Sequence, residues 1–352
     1  MNIAAPIRLG ILNDMGNGPD GPSDIADWLR LALDDYRAAG RIAAPVEFVF
    51  AHGLGKPHGT IAAVERAHAE LVEQGAVLVI GPAIGDNALG LTPQVERLGV
   101  PTLHWAGAET ARGEWMFHLQ VGSHEEESVL MARHLAAVGA GRIAVIRENS
   151  PIGEKHFDYF AAEAALLGLA IGEVAVIEPT GSPAAEVVAG LLAAAPQAIA
   201  YLGLGQPAAA VAQALAESGW AGPRIINSAG LRGYQPAIGA ALEGWVYCDL
   251  VSDGNRSLAA VLARRGMGRE RAFAAAKGWD LGVIAAEAIA RAPHATPAGL
   301  REGLERIKWL PAAEGMEGTL LSFGKQDRGA LHGRYLVLRQ WQGGRSVEVA
   351  QP

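Results

Sequence analysis

Residues 77–108 read VLVIGPAIGDNALGLTPQVERLGVPTLHWAGA. An apolar run, 77–80, stops at Gly81-Pro82. A polar turn of Gly85, Asp86 and Asn87 then leads into a helical stretch, and a second apolar run covers 100–104. Short runs rich in Val, Ile and Leu, bounded by Gly and Pro, are the pattern of buried parallel strands. The stretch is therefore strand, loop, helix, strand, with two loops at the carboxyl ends of the strands. In open α/β sheets that edge is where small ligands bind.

Outward from this stretch the alternation continues. Strand-like runs at 7–12, 46–50, 77–80 and 100–104 alternate with amphipathic helical stretches at 24–39, 60–74 and 87–98. Ser23 or Asp24 is placed to cap the first helix, and Gly40 to end it. The pattern then restarts. Strands are expected at 142–147, 174–177, 198–202, 224–227 and 245–251, and helices at 125–138, 155–167, 184–195 and 207–218. Ser123 followed by Glu126 is a capping-box signature. A long helix at 270–290, a shorter one at 297–307 and late strands at 319–323 and 334–340 close the chain. Two successive α/β runs predict two similar lobes, each a doubly wound parallel sheet with helices on both faces. No Pro/Ser linker separates them, so ordered strands are expected to join them.

Composition narrows the function. The chain has 352 residues, half of them hydrophobic, with a net charge of −8. Nucleic-acid binding needs clustered Lys and Arg, so an acidic chain argues against it. No uncharged apolar run reaches the length that spans a bilayer. A single cysteine, Cys248, excludes an intramolecular disulfide and a multi-cysteine metal site; its apolar surroundings suit a buried small residue. The sequence holds no G-x-S-x-G elbow, P-loop or H-E-x-x-H motif, so no enzyme, cofactor or metal is expected. His124-Glu125-Glu126-Glu127 reads as a helix start, where the dipole favours acids, rather than a metal cluster. Gly203-Leu204-Gly205 lacks the third glycine and the later acid of a dinucleotide site. Only six residues precede the first strand, with no basic or apolar leader region. A cytoplasmic protein, or a periplasmic or cell-surface one with its leader already removed, both fit.

Several segments, in order, resemble one family. They are IRLGILND (7–14), DWLRLALDDY (27–36), GRIAVIRENSPIGEKHFDYF (141–160), GWDLGVIAAEAI (278–289) and GTLLSFGKQDRGALHGRYLVLRQW (318–341). Their order and spacing resemble type I periplasmic binding proteins of the branched-chain amino-acid (Leu/Ile/Val) family. The resemblance implies two lobes, 1–118 with 251–323 and 119–250 with 324–352. Three crossovers near 117–121, 247–252 and 323–332 would join them, and hinge closure would trap a small-molecule ligand in the cleft. It also implies a solute-binding protein that serves the membrane components of an ABC importer. The alternative is a cytoplasmic ligand sensor of the amide-sensing type, acting through a regulatory protein partner.

The resemblance also selects the candidate ligand-binding residues. In the first loop, Asp14 and Met15 (within Asn13-Asp14-Met15-Gly16-Asn17-Gly18) would line the cleft mouth. Where amino-acid binders of the family offer Ser or Thr to the ligand carboxylate, this chain has Gly85, Asp86 and Asn87. Asp86 would repel an anion there, or simply cap the helix. The next loop is His104, Trp105, Ala106, Gly107 and Ala108. Here His104 is either a ligand contact or a hydrogen-bonded strand end, and Trp105 either a ligand platform or a core filler. In the second lobe the family's aromatic stacker becomes Ile152, and Gln206 is placed to hydrogen-bond a ligand. Where the family holds the ligand ammonium with an acid, this chain has Ala229. A buried ammonium without a counter-charge is strongly disfavoured, so an apolar or aromatic compound is expected, with a carboxylate an option, rather than a standard amino acid. Asp86 or Asp249 are the remaining acids for that role. Arg232 suits a carboxylate, or is a solvated surface residue, and Tyr234 lies just beyond it.

Overall fold

A computed structural model describes residues 5–16, 23–180 and 183–351. Asn17 and Gly18 of the first loop lie outside the described residues, as do the side chains of Ser23 and Asp24. In chain order the elements begin β1 (Ile7–Asn13), α1 (Ser23–Ala38), β2 (Val46–His52), α2 (Ile61–Glu73), β3 (Leu78–Ile80), α3 (Gly85–Leu98), β4 (Thr102–His104) and β5 (Met116–His118). Then come α4 (His124–Ala137), β6 (Arg142–Glu148), α5 (Pro151–Leu166), β7 (Ala170–Ile177), α6 (Ala184–Ala193), β8 (Ala198–Leu202), α7 (Ala208–Glu217), β9 (Arg224–Ile226), α8 (Pro236–Ala241) and β10 (Val246–Asp249). The last are α9 (Arg256–Arg264), α10 (Ala272–Arg291), α11 (Pro297–Glu305), β11 (Leu310–Pro311), β12 (Leu320–Leu321), β13 (Leu331–His332), β14 (Val337–Gln342) and β15 (Arg345–Glu348).

The chain forms two compact units, Met1–Val121 with Val251–Tyr335 and Gly122–Leu250 with Leu336–Pro352. The chain passes from one unit to the other after Val121, Leu250 and Tyr335. The third lies at Tyr335/Leu336, beyond the expected 323–332, so residues 324–335 belong to the first unit and not the second. Hydrogen bonds hold them there. The Gln120 carboxamide oxygen accepts from the Ala330 and Leu331 amides, and Arg328 donates to the carbonyls of Gly113 and Glu114.

In the first unit the sheet order is β2-β1-β3-β4-β5, all parallel. The second has β15-β14-β10-β9-β8-β6-β7. Its strands β6 to β10 are parallel, while β14 and β15 run antiparallel at one edge. Gly343 and Gly344, both with positive φ, form the two-residue turn between those edge strands, a conformation that glycine adopts without strain. The antiparallel edge departs from the all-parallel expectation for this lobe. A tight hairpin can only join antiparallel neighbours.

Both faces of the second sheet are buried. Ala144 and Ile146 pack with Val188, Val211 and Leu215 of α6 and α7. Ile143 and Val145 pack with Met131 and Leu135 of α4 and Phe160 of α5. Alternate residues of one strand thus serve opposite layers, which is why these strands read as continuous apolar runs. In the first unit α2 and α3 lay Val64, Leu71, Leu91 and Val95 against Leu12 and Val79. Helix caps follow the sequence: the Thr60, Ser123 and Ser150 hydroxyls accept from Ala63, Glu126 and Gly153 amides. Because Ser150 caps and Pro151 takes the first helical position, α5 starts a turn earlier than 155.

Helix α10 carries a buried ionic group within the first unit. Lys277 Nζ lies 2.7 Å from Glu314 and donates to the Gln120 carbonyl at 2.8 Å. Asp280 accepts from the Ala313 and Glu314 amides. Burial and the neighbouring Glu314 charge push the Asp280 carboxyl up to about 8.

Candidate functional site

The carboxyl edge of the first sheet is organised by Asp14, which follows β1 directly. Its carboxylate accepts from the Ala83 amide (2.9 Å), the Ile84 amide (3.2 Å) and the Asn87 Nδ2 (2.8 Å). Asn87 in turn accepts from the Lys56 amide through its Oδ1. The residue at the cap position of α3 is Ile84, which has no side-chain acceptor; Asp14, from the neighbouring strand, holds the two amides just before the helix, Ala83 and Ile84. Asp86 stands in the first turn of α3, not at the cap position. Burial raises the Asp14 carboxyl above its ordinary value, opposed by the three hydrogen bonds it accepts. A carboxylate of the chain itself thus stands beside the N-terminal end of α3.

Gly85 and Asn87 are buried here. Met15 is half-buried, with its amide on Asn13 Oδ1 and its carbonyl on His52 Nε2. His104, at the end of β4, has no exposed surface and stacks on His118 at 4.2 Å, the rings 8° from parallel. His118 accepts from Arg112 Nε at Nδ1, and its Nε2 meets the Ala106 carbonyl. Among the described residues neither ring nitrogen of His104 has a hydrogen-bond partner in bonding geometry. Burial pushes the His104 imidazole down to about 3, so it is neutral at physiological pH. Trp105 and Gly107 are half-buried, while Ala106 and Ala108 are buried.

Glu148 does in the second unit what Asp14 does in the first. It ends β6, is fully buried, and accepts from the Tyr201 hydroxyl (2.6 Å) and the Leu204 (2.9 Å) and Gly205 (2.6 Å) amides. Asn227 braces the same loop, bonding both the amide and the carbonyl of Gly203. Asn227 Nδ2 also donates to His156 Nε2, which leaves the His156 Nδ1–H for Ser128 Oγ. The Ser128 hydroxyl proton goes to the His156 carbonyl. Ser128, His156 and Asn227 thus have the composition of a catalytic triad but not its hydrogen-bond polarity. The imidazole offers the serine no acceptor, and all three side chains are buried.

Ala229 is buried in a 3-10 turn, Ser228–Tyr234, against Gly205. Gly205 has φ +82°, and a Cβ there would stand 2.7 Å from the Ala229 Cβ. Arg232, in the same turn, donates from Nε to the Leu204 carbonyl at 2.6 Å and is half-buried. Burial lowers its pKa, with Glu148 pulling the other way. Gln206 is half-buried, and among the described residues its amide makes no hydrogen bond. Ile152 is buried in the first turn of α5. Tyr234 gives its hydroxyl to Asp249 and packs edge-on against Trp341. Asp249 is fully buried among Tyr234, Arg339 and the Leu250 amide, so it has no surface to offer a ligand ammonium.

Sequence reasoning missed Glu148 and the loop-holding role of Asp14. A signal was present: in both α/β runs an acid stands at, or directly after, the end of the first strand, in LND and in IRE. Among the described residues there is no group of His, Cys, Asp and Glu able to hold a metal ion, and no helix long and apolar enough to cross a membrane.

A family model described as periplasmic binding protein matches residues 6–345. Among solved structures, a type 1 periplasmic binding protein from Bordetella pertussis Tohama I superposes with a TM-score of 0.82 at 19% identity, covering 98% of this chain and 100% of that one. A leucine-binding protein from Thermotoga maritima gives 0.80 at 15%, with 98% of each chain covered. An ABC-transporter substrate-binding protein from Desulfitobacterium hafniense in complex with Leu gives 0.79 at 19%, covering 98% of this chain and 100% of that one. At such identities these likenesses establish the fold. No curated protein matches the sequence.

Proposed function

We propose, since the chain belongs to the periplasmic binding protein family, that it is a non-catalytic solute-binding protein serving the membrane components of an ABC importer. Its ligand is a small organic molecule, apolar or aromatic in body, and not a standard α-amino acid. The candidate contacts lie on the carboxyl-edge loops of each unit taken by itself: Met15, Trp105 and Gly107 in the first, and Gln206 and Arg232 in the second. A periplasmic or cell-surface location accompanies this role.

The observation that carries the reading is the fate of the two charged anchors a zwitterion needs. Beside the positive pole of α3 stands the Asp14 carboxylate, bonded to the Ala83 and Ile84 amides. Ala229, which the family resemblance sets at the place of the ammonium-holding acid, is buried against Gly205. A carboxylate set at the first would meet a like charge, and an ammonium set at the second would be desolvated without compensation.

A thermal-shift screen of the purified protein tests the reading. The panel is amino acids, amides, aromatic acids and apolar acids. A ligand at 100 times its Kd adds roughly 2.7 kcal/mol of stability, a shift of several degrees. A rise in midpoint with aromatic or apolar compounds and none with leucine supports it; a rise with leucine alone sinks it.

A further inference from the structure

We infer that Arg232 is the anion-binding residue of this protein, so that the ligand carries an acid group held at the carboxyl edge of the second sheet. The inference rests on the proposed solute-binding function and specifies its chemistry.

Three features of the 3-10 turn and the loop it packs on lead there. First, Arg232 is anchored by one nitrogen only. Its Nε donates to the Leu204 carbonyl, while among the described residues its two terminal NH2 groups make no hydrogen bond and no ion pair at contact distance, the Glu148 carboxylate acting on the guanidinium only through space. Second, the anchor is built. Leu204 and Gly205 are fixed by their amides on Glu148, and the absence of a side chain at Gly205 makes room for the arginine stem, whose Cδ would stand 3.2 Å from a Cβ there. Third, the adjacent Gln206 carries a half-buried amide that is also without a hydrogen bond. A guanidinium pinned at Nε keeps a pre-oriented pair of donors that matches the two oxygens of a carboxylate. Half-buried donors without protein partners are what a polar ligand group satisfies.

The first unit points the same way by exclusion. A helix N-terminus is the usual alternative seat for an anion, and the Asp14 carboxylate stands beside that of α3. A ligand acid placed there would meet a like charge, whereas at Arg232 it meets a cation whose desolvation it offsets.

The test is calorimetric titration of the full chain with benzoate, phenylacetate and hexanoate, with the matching primary amides and with L-leucine. Wild-type protein is expected to bind the acid of at least one pair more than tenfold tighter than its amide. Arg232→Gln should weaken that acid by about 10- to 100-fold and leave the amide within about threefold. Arg232→Lys, which keeps the charge and loses the fork, should fall between. The acid-against-amide comparison in wild-type protein holds even if the substituted chains fold poorly. Equal binding of acid and amide, no acid binding, or acid binding that survives Arg232→Gln overturns the inference. Binding of amides in any of those cases leaves the solute-binding reading standing; binding of leucine alone defeats both.

Discussion

Asp14 and Glu148 occupy matching places in the two units. Each stands at the carboxyl end of the first strand of its sheet, β1 or β6. Each turns its carboxylate onto the backbone amides of the loop after the adjacent strand, β3 or β8. Both loops lead into the helix that follows. The two sheets therefore share a device as well as a strand order: an internal anion holds the edge loop in shape before any ligand arrives.

Removing that device is expected to loosen the edge. Asp14→Ala leaves the Ala83 and Ile84 amides and the Asn87 carboxamide without their acceptor and should cost about 2–4 kcal/mol. Asp14→Asn keeps one acceptor oxygen and should cost less. Glu148→Ala should behave like Asp14→Ala. Urea unfolding followed by circular dichroism measures each, and a loss under 0.5 kcal/mol in both alanine variants would show that the carboxylates do not hold the loops.

Asp280 predicts a pH dependence of opposite sign to ordinary acid denaturation. Its folded pKa of about 8 lies above the unfolded value of about 4. Between those pH values the folded chain keeps a proton that the unfolded chain has lost. Its contribution to stability is complete below about pH 4 and is lost as pH rises through about 8, with a limiting slope of about 1.4 kcal/mol per pH unit. Asp280→Asn keeps an acceptor for the Ala313 amide and should flatten that segment of the stability–pH curve. The difference between wild type and variant, from denaturant midpoints at pH 5, 6, 7 and 8, is the quantity to follow; identical curves would place the proton elsewhere.

The unbonded His104 ring predicts a substitution that is tolerated. His104→Phe preserves the stack on His118 and removes two buried polar atoms, so stability at pH 7 should be unchanged or higher by about 1 kcal/mol. The histidine's folded pKa, about 3, lies below its unfolded value of about 6.5. Its neutral burial therefore costs stability as pH falls from about 6.5 toward 3, and the phenylalanine variant should lose less over that interval. A marked loss of stability at pH 7 would mean that the imidazole makes a contact the ring stack does not account for.

Much of the fold is legible because its determinants are local. The alternation of apolar runs with capped amphipathic stretches reports strands and helices directly, since helix caps and side-chain periodicity act over three or four residues. Ser123 and Gly40 do at their helix ends what their types predict. The late antiparallel edge was not legible in the same way. Residues 345–348 (RSVE) carry almost no apolar signal, and only the hairpin at Gly343-Gly344 reveals them as a strand.

The sequence by itself determined the two-fold repetition of β and α, the apolar faces of the helices, and the absence of an acid at Ala229. Each follows from residue type and spacing along one segment. Only the tertiary structure decided which polar side chains remain available. Asp14 meets its partners 69 to 73 residues downstream, Glu148 meets its own 53 to 57 residues away, and Arg232 reaches back 28 residues to Leu204. A carboxylate already satisfied and a guanidinium with donors to spare are the same residue types on paper. What separates them is which distant segment the sheet order sets beside each one.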